Sequence, residues 1–335
     1  MYNTVIIIDS GINTIICKEN IVGGISFTYK NRKIVKMSNY FDNNGHGTAC
    51  CCVISSICKE SKFYIIKVLN NNGNASIELL IAALKYCSSL EYNVINLSLA
   101  TLDTMHIDEL KKVCQKLKDQ GKIIISSVFN RYSSSYPASF DSVIGVRGGV
   151  LSSNNEFWFN SKYEIECIAN IVPQFTKREL DNYMLFGGNS KACAYITGYI
   201  MNIIKDDKVF EIDKVRAVLQ KKSVKDRWKE SDINDIVPCI ISKNTSDEIG
   251  MEHELERIKT IIYKVDYNFQ VLELEWNDNL YKKKIVTPSN CKKIIESIEE
   301  EYRTKIIDNY INFFSCATIK SLFELVKGDK NENNG

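Results

Sequence analysis

Three short stretches of this sequence carry groups able to share one proton relay. Asp9 lies in Ile8-Asp9-Ser10-Gly11, His46 in Gly45-His46-Gly47-Thr48, and Ser190 in Gly187-Gly188-Asn189-Ser190-Lys191-Ala192. A serine hydroxyl is a weak nucleophile at neutral pH and needs a base. His46 can take its proton and later give one to a leaving amine. A buried carboxylate such as Asp9 would fix the imidazole tautomer and stabilise the imidazolium that forms. A serine at the start of a helix has unpaired backbone N–H groups beside it, which suit a developing oxyanion. Gly187 and Gly188 let backbone or substrate approach closely. Alone, each stretch is ordinary: the first is a turn, the last a helix cap. Together, each at the edge of an expected element, they form the strongest signal in the chain. His106 and His253 lack such a setting and read as surface residues.

Those groups need elements to hold them. Residues 4–8 are a short β-branched run suited to a buried strand ending at Asp9. A helix over 46–58 begins at His46, and 62–68 reads as a strand. Ser76 is placed to cap a helix running to about Cys87, with Glu78 in its first turn. Residues 93–99 read as a strand. A helix from about Asp108 to Asp119 stops before Gly121. Residues 122–128 form another strand, and helices fit 190–204 and 212–221. Strand–helix alternation predicts an α/β fold, a parallel sheet with helices on both faces. In such sheets chemistry gathers beyond the carboxyl ends of the strands.

At this point the motifs resemble those of the subtilisin-like serine peptidases, whose chain order is also Asp, His, Ser. The resemblance runs over about residues 3–222. Lys67-Val68-Leu69 resembles the strand after the histidine helix, and residues 93–99 the strand that lines the substrate groove. Phe129-Asn130, followed by Tyr136-Pro137-Ala138, resembles the segment holding the oxyanion asparagine. The resemblance implies a serine endopeptidase acting through an acyl-enzyme on Ser190. Asp9 and His46 complete its triad, Asn130 donates to the oxyanion, and Ser98, Leu99, Ala100 and Phe129 bind substrate. Three positions depart from the family pattern: Asn189 replaces a threonine, Ala194 a proline, and Phe129 a glycine, where its ring would crowd the oxyanion hole. None removes a proton-transfer group. The alternative is a peptide-binding module that does not cut.

Bulk properties narrow the setting. With 335 residues, 44% hydrophobic and 25% charged, two soluble domains are expected. A net charge of +2 suggests no nucleic-acid or anionic-membrane partner. No apolar run approaches the roughly 18 residues that span a bilayer. The start, Met1 to Asp9, lacks the basic and apolar regions of a signal peptide, so a cytoplasmic location is expected. The catalytic aspartate comes so early that no inhibitory prodomain fits, which suggests a processing enzyme acting on a specific precursor peptide. The 12 cysteines show no disulfide or zinc spacing and read as reduced apolar fillers. No metal is expected; Asp42 near His46 is a lone carboxylate, not a calcium site.

The pattern changes after residue 222. Residues 223–250 are polar and read as a linker, 251–328 as a small all-α bundle, and 329–335 as a disordered tail. Helices fit Glu252 to about Tyr267, Cys291 to Tyr302, and Thr318 to Val326. Isoleucines and leucines at helical spacing are core residues of any bundle. Residues 294–302 and 314–322 also resemble the second and last helices of acyl carrier proteins. That resemblance implies phosphopantetheine on a serine before the second helix, for which Ser289 is the candidate. The family's usual Asp and Leu around that serine are absent. Partner enzymes of a biosynthetic pathway would dock there.

Overall fold

A computed structural model describes residues 3–151, 153, 155–179, 182–234, 251–287, 289–306, 311 and 313–331. The chain divides into two compact units. The first comprises Met1–Ile171, Thr176–Leu180 and Phe186–Val237; the second comprises Val172–Phe175, Asp181–Leu185 and Pro238–Gly335.

The first unit is built on a sheet of nine strands: β1 (Thr4–Asp9), β2 (Ile21–Lys30), β3 (Lys33–Met37), β4 (Lys62–Lys67), β5 (Val94–Leu97), β6 (Ile123–Ser127), β7 (Val143–Gly149), β8 (Phe157–Phe159) and β9 (Cys167–Asn170). Their order is β3-β2-β4-β1-β5-β6-β7-β9-β8. The pairs from β2 through β9 are parallel, and only β3 and β8, at the two edges, run antiparallel to their neighbours. Every residue of β1 is buried, as a central parallel strand requires.

Alternation along the strands sends their side chains to opposite faces. Ile6, Ile8, Ile95, Leu97 and Ile124 pack into one core with Leu80, Leu84, Leu110 and Leu117. Those leucines belong to α2 (Ile77–Cys87) and α3 (Ile107–Asp119). The other face carries α1 (His46–Ile57) and α4 (Gly188–Asp207), which pack on each other. Gly198 makes that approach possible: a Cβ there would lie 2.8 Å from Ile57 Cβ. Ser76 does cap α2, accepting from Leu79 N. Gly121, with φ +76°, follows α3 as a residue in the left-handed region should. An eleven-residue α5 (Ile212–Lys222) completes the predicted helices of this unit.

The segment after α5 differs from the expected linker. Val224 N donates to Phe157 O and Phe159 N to Lys225 O, so residues 223–225 extend beside β8. Trp228 packs at a tilt against Trp158, and Arg147, nearly buried, pairs with Glu230 at 2.6 Å. Polar composition misled here because an edge strand can take a polar partner through backbone hydrogen bonds, with a few side-chain contacts added. Residues 235–250 lie outside the described residues.

The second unit contains α6 (Glu252–Asp266), α7 (Cys291–Tyr302) and α8 (Ile319–Asn331), as three helices were expected. Ile258, Ile262, Ile294, Ile298, Ile319 and Leu322 form its core. The disordered tail expected from 329 is helical to Asn331; residues 332–335 lie outside the described residues. Two further strands, β10 (Gln174–Glu179) and β11 (Asn182–Phe186), form a ribbon of their own that sequence patterning did not reveal.

Candidate active site

The site collects at the carboxyl ends of β1, β5 and β6 and the amino ends of α1 and α4. Asp9 is the last residue of β1 and has no exposed surface. A buried carboxylate must be paired. Its Oδ1 accepts from Ser10 N at 2.7 Å and lies 2.8 Å from His46 Nδ1; Oδ2 lies 3.0 Å from the same nitrogen. With both oxygens at Nδ1, the imidazole carries its proton there and leaves Nε2 as the base.

His46 opens α1 because of a second carboxylate, Asp42, which the sequence marked only as a lone carboxylate near the histidine. Asp42 is 6% exposed and accepts from Gly45 N (2.8 Å), Thr48 N (2.9 Å), Thr48 Oγ1 (2.6 Å) and Ser10 Oγ (2.9 Å). Burial pushes its pKa up, but these donors outweigh burial and hold it below the ordinary carboxylate range. Asp42 thus caps α1 and binds the loop after β1 to it. The available signal was the Asp-x-Asn-Gly run just before the histidine, a capping pattern. Gly47 is equally constrained, since a Cβ there would meet Gly11 O at 2.3 Å.

The ring of Phe186 meets the His46 ring edge-on, with centroids 5.3 Å apart. Cys50, one turn along α1, puts Sγ 3.7 Å from Asp9 Oδ2. Burial pulls the His46 pKa down. The Asp9 charge opposes it and, with smaller contributions from Cys50, carries the pKa well above the usual 6.5. A base must be neutral to accept a proton. The acid limb of kcat/KM is therefore expected above pH 6.5. Asp9→Asn should move that limb downward, because the largest opposition to burial is then gone. A limb that stays put in a pH–rate profile of the variant would refute this cause.

Ser190 is the third residue of α4. Its Oγ donates to Ser98 O at 3.2 Å, and Ser98 Oγ donates back to Ser190 O at 3.2 Å. Among the described residues, the hydroxyl makes no hydrogen bond to His46. Ser190 and His46 nonetheless line one cleft of about 490 Å³, with Ser98, Leu99, Ala100, Phe129 and Asn130. The structure thus gathers all the predicted catalytic and substrate-binding residues of this unit. Thr101 and Tyr136 exchange backbone hydrogen bonds of 2.8 and 3.0 Å behind the groove wall.

The first two amides of helix α4 are bonded within the protein. Gly188 N donates to Ile171 O, and Asn189 N to Asn130 Oδ1 at 3.2 Å. That bond turns the Asn130 amide so that its Nδ2 is left as a donor. The next amide, that of Ser190, adds the partial positive charge of a helix start. Asn130→Ala is expected to lower kcat about 10²–10³-fold while KM changes little; an unchanged kcat would remove Asn130 from the oxyanion site.

Two of the three departures have structural explanations. Asn189, 7% exposed, accepts from Gly148 N at 2.8 Å and donates to Val128 O at 2.9 Å. It pins the nucleophile helix to the ends of β6 and β7. Phe129 does not crowd the oxyanion donors: its ring is 43% exposed and packs on Tyr132, with centroids 5.6 Å apart. Nothing in the structure explains Ala194, which is buried in α4. Asn96 was also missed. It accepts from Thr197 Oγ1 at 2.8 Å and donates to Ser98 Oγ at 3.0 Å, fixing β5 to α4. A buried asparagine in an apolar strand was its signal.

Ser289, in the second unit, is exposed. It precedes Asn290, the buried N-cap position of α7, whose side chain accepts from Thr287 N and donates to Ile285 O. Among the described residues, the one metal-capable cluster is Asp9, His46 and Cys50, all held in the site itself. No helix among them is long and apolar enough to cross a membrane.

Comparison with known proteins follows the same outline. The subtilase family model matches residues 3–247. The chain is 27% identical to Subtilisin DY of Bacillus licheniformis over 226 residues, which is 63% of this chain and 79% of that protein. It is 27% identical to Subtilisin E of Bacillus subtilis (strain 168) over 232 residues, 64% of this chain and 59% of the relative. The fold is similar to that of Sphericase, with a TM-score of 0.55 at 18% identity over 66% of this chain and 83% of the other.

Proposed function

Because the chain belongs to the subtilase family of serine peptidases, we propose that it is an active serine endopeptidase with Ser190 as nucleophile. The observation that carries this reading is buried Asp9 bonded at 2.8 Å to His46, which opens on the same cleft as Ser190. In the proposed reaction, rotation of Ser190 frees its hydroxyl from Ser98 O and brings it to His46 Nε2. Oγ attacks the peptide carbonyl as His46 takes its proton. The carbonyl oxygen becomes an oxyanion held by Asn130 Nδ2 and the Ser190 amide. His46 returns the proton to the leaving amine, and water then hydrolyses the acyl-enzyme by the same relay.

The natural substrate in this reading is a specific precursor peptide or protein cut in the cytoplasm. What supports it is the second, helical unit that the chain carries. That unit would recruit substrate or biosynthetic partner enzymes, and Ser289 would carry phosphopantetheine. Its exposure just ahead of α7 suits that modification.

A second reading, a peptide binder that does not cut, is favoured by the Ser190–Ser98 hydrogen bond. A fluorophosphonate probe separates the two. Labelling of the wild type but not of Ser190→Ala is expected; a folded wild type that stays unlabelled would overturn the enzyme reading. For Ser289, intact mass after co-expression with a phosphopantetheinyl transferase decides, and an unshifted mass rejects the carrier role.

A further inference from the structure

The end of β7 meets a different partner at each of three alternate residues. Val146 O accepts from Val128 N, just past β6. Gly148 N donates to Oδ1 of Asn189, the residue before Ser190, at 2.8 Å. Val150 N donates to Asn234 O at 2.6 Å, in the segment after α5. Between them, Gly149 O accepts from Ile171 N, and Ile171 O accepts from Gly188 N at the start of α4. Both residues ahead of Ser190 are therefore tied to Gly148 and Gly149, Asn189 directly and Gly188 through Ile171. The approach needs glycine: a Cβ at Gly148 would lie 1.8 Å from Ile171 Cγ2 and 2.7 Å from Asn189 Oδ1.

The segment after α5 fastens this same strand end. Arg147 Nη1 donates to both carboxylate oxygens of Glu230, at 2.6 and 2.8 Å. The Arg147 side chain is 8% exposed and that of Glu230 68%. A cation so buried depends on its counter-charge far more than an exposed carboxylate does, so loss of the Glu230 charge is felt at Arg147. Ile233 lies against Gly149, where a Cβ would be 3.5 Å from Ile233 Cγ2. The segment is anchored in its turn, by Lys225 to Asp232 at 2.9 Å and by Phe159 N to Lys225 O. Arg147 and Val150 thus bracket the two glycines that hold the start of α4.

We propose that Glu230 is a positioning residue for the nucleophile, acting through Arg147 and the end of β7 on Asn189 and so on Ser190. The inference rests on the reading of Ser190 as nucleophile. In that reading the hydroxyl must swing from Ser98 O to His46, and its helix must hold still while it does. A misplacement of about 1 Å at a reacting atom can cost about 10²-fold in rate. Without the Glu230 charge, Arg147 turns toward water and draws the strand end with it, and Gly148 N no longer meets Asn189 squarely. Asp9 and His46 stand on β1 and α1 and keep their own hydrogen bond.

The experiment assays the full-length protein on a peptide substrate, with fluorophosphonate labelling of Ser190 and circular dichroism beside it. Glu230→Gln should lower kcat about tenfold with KM nearly unchanged, as expected of a misplaced reacting group. The acid limb of its pH–rate profile should stay at the wild-type position, because the Asp9–His46 pair is intact. In an Asn189→Ala background the same substitution should cost little more, since the link it acts through is already gone. Glu230→Asp keeps the charge and should lose less; it carries the same cycle if Glu230→Gln does not fold. With a wild type that labels, an unchanged kcat, a loss confined to KM, a shifted acid limb, or fully additive losses in the double variant would each overturn the proposal and leave the enzyme reading standing. A folded wild type that does not label would overturn the enzyme reading, and this inference with it.

Discussion

Replacing Ser190 with alanine is expected to lower kcat on the order of a million-fold, the size that loss of the nucleophile brings in triad peptidases. KM should change far less, because the cleft walls at Ser98 to Ala100 and at Phe129 stay in place. The substitution also removes the hydrogen bond from Ser190 Oγ to Ser98 O. That exposed-edge contact is worth about 1 kcal/mol, so the variant should still fold. Its residual rate should exceed that of uncatalysed hydrolysis by about 10³–10⁴-fold, supplied by the oxyanion donors and substrate positioning. Initial-rate kinetics on a peptide substrate, with circular dichroism as the fold control, tests this. A loss of less than about tenfold would mean that another group is the nucleophile. A wild type no faster than Ser190→Ala would mean that the Ser98 contact holds the hydroxyl out of use.

The proton relay was legible in the sequence because its parts are local. A buried run ending in Asp9 and a glycine-flanked His46 each announce themselves within four residues. The same holds for α2, where Ser76 and Glu78 open an apolar pattern. The supports of the relay were less legible because they depend on contacts across the fold. Asp42 reads as one more polar loop residue until Thr48, Gly45 and Ser10 converge on it. Asn189 reads as a departure from a family pattern, yet it is held by Gly148 and Val128, from the ends of two different strands. Strands β2, β3, β7, β8 and β9 were not foreseen; β3 lies mostly exposed and lacks the continuous apolar run of a central strand, while β8 is only three residues long although Phe157 and Phe159 are buried. The stretch after α5 was misread because its ties to β8, backbone hydrogen bonds together with the Trp158–Trp228 contact, are set by the fold and not by local pattern.

Lys191 presents the opposite case, a residue whose type conflicts with its place. It follows the nucleophile directly, is 2% exposed, and has no carboxylate partner among the described residues. Burial pushes its pKa from 10.5 down to about 8. A lysine with a depressed pKa binds fewer protons folded than unfolded between those values, so its burial penalty is absent above pH 10.5 and complete below pH 8. The gap from 10.5 to about 8 corresponds to about 3 kcal/mol at 1.36 kcal/mol per pH unit. Lys191→Met keeps the unbranched chain and removes the ammonium group. It is therefore expected to stabilise the fold by about 3 kcal/mol at pH 7, and the gain should shrink toward zero as pH rises past 10.5. Because other lysines and tyrosines titrate over the same range, the quantity to follow is the difference between variant and wild type, from urea unfolding at a series of pH values. A variant no more stable at pH 7, or a gain independent of pH, would mean that the amine is already solvated or paired in the folded protein. A chain that keeps so costly a group one residue from Ser190 gives up stability at the place where it gathers its reacting groups, as functional sites commonly do.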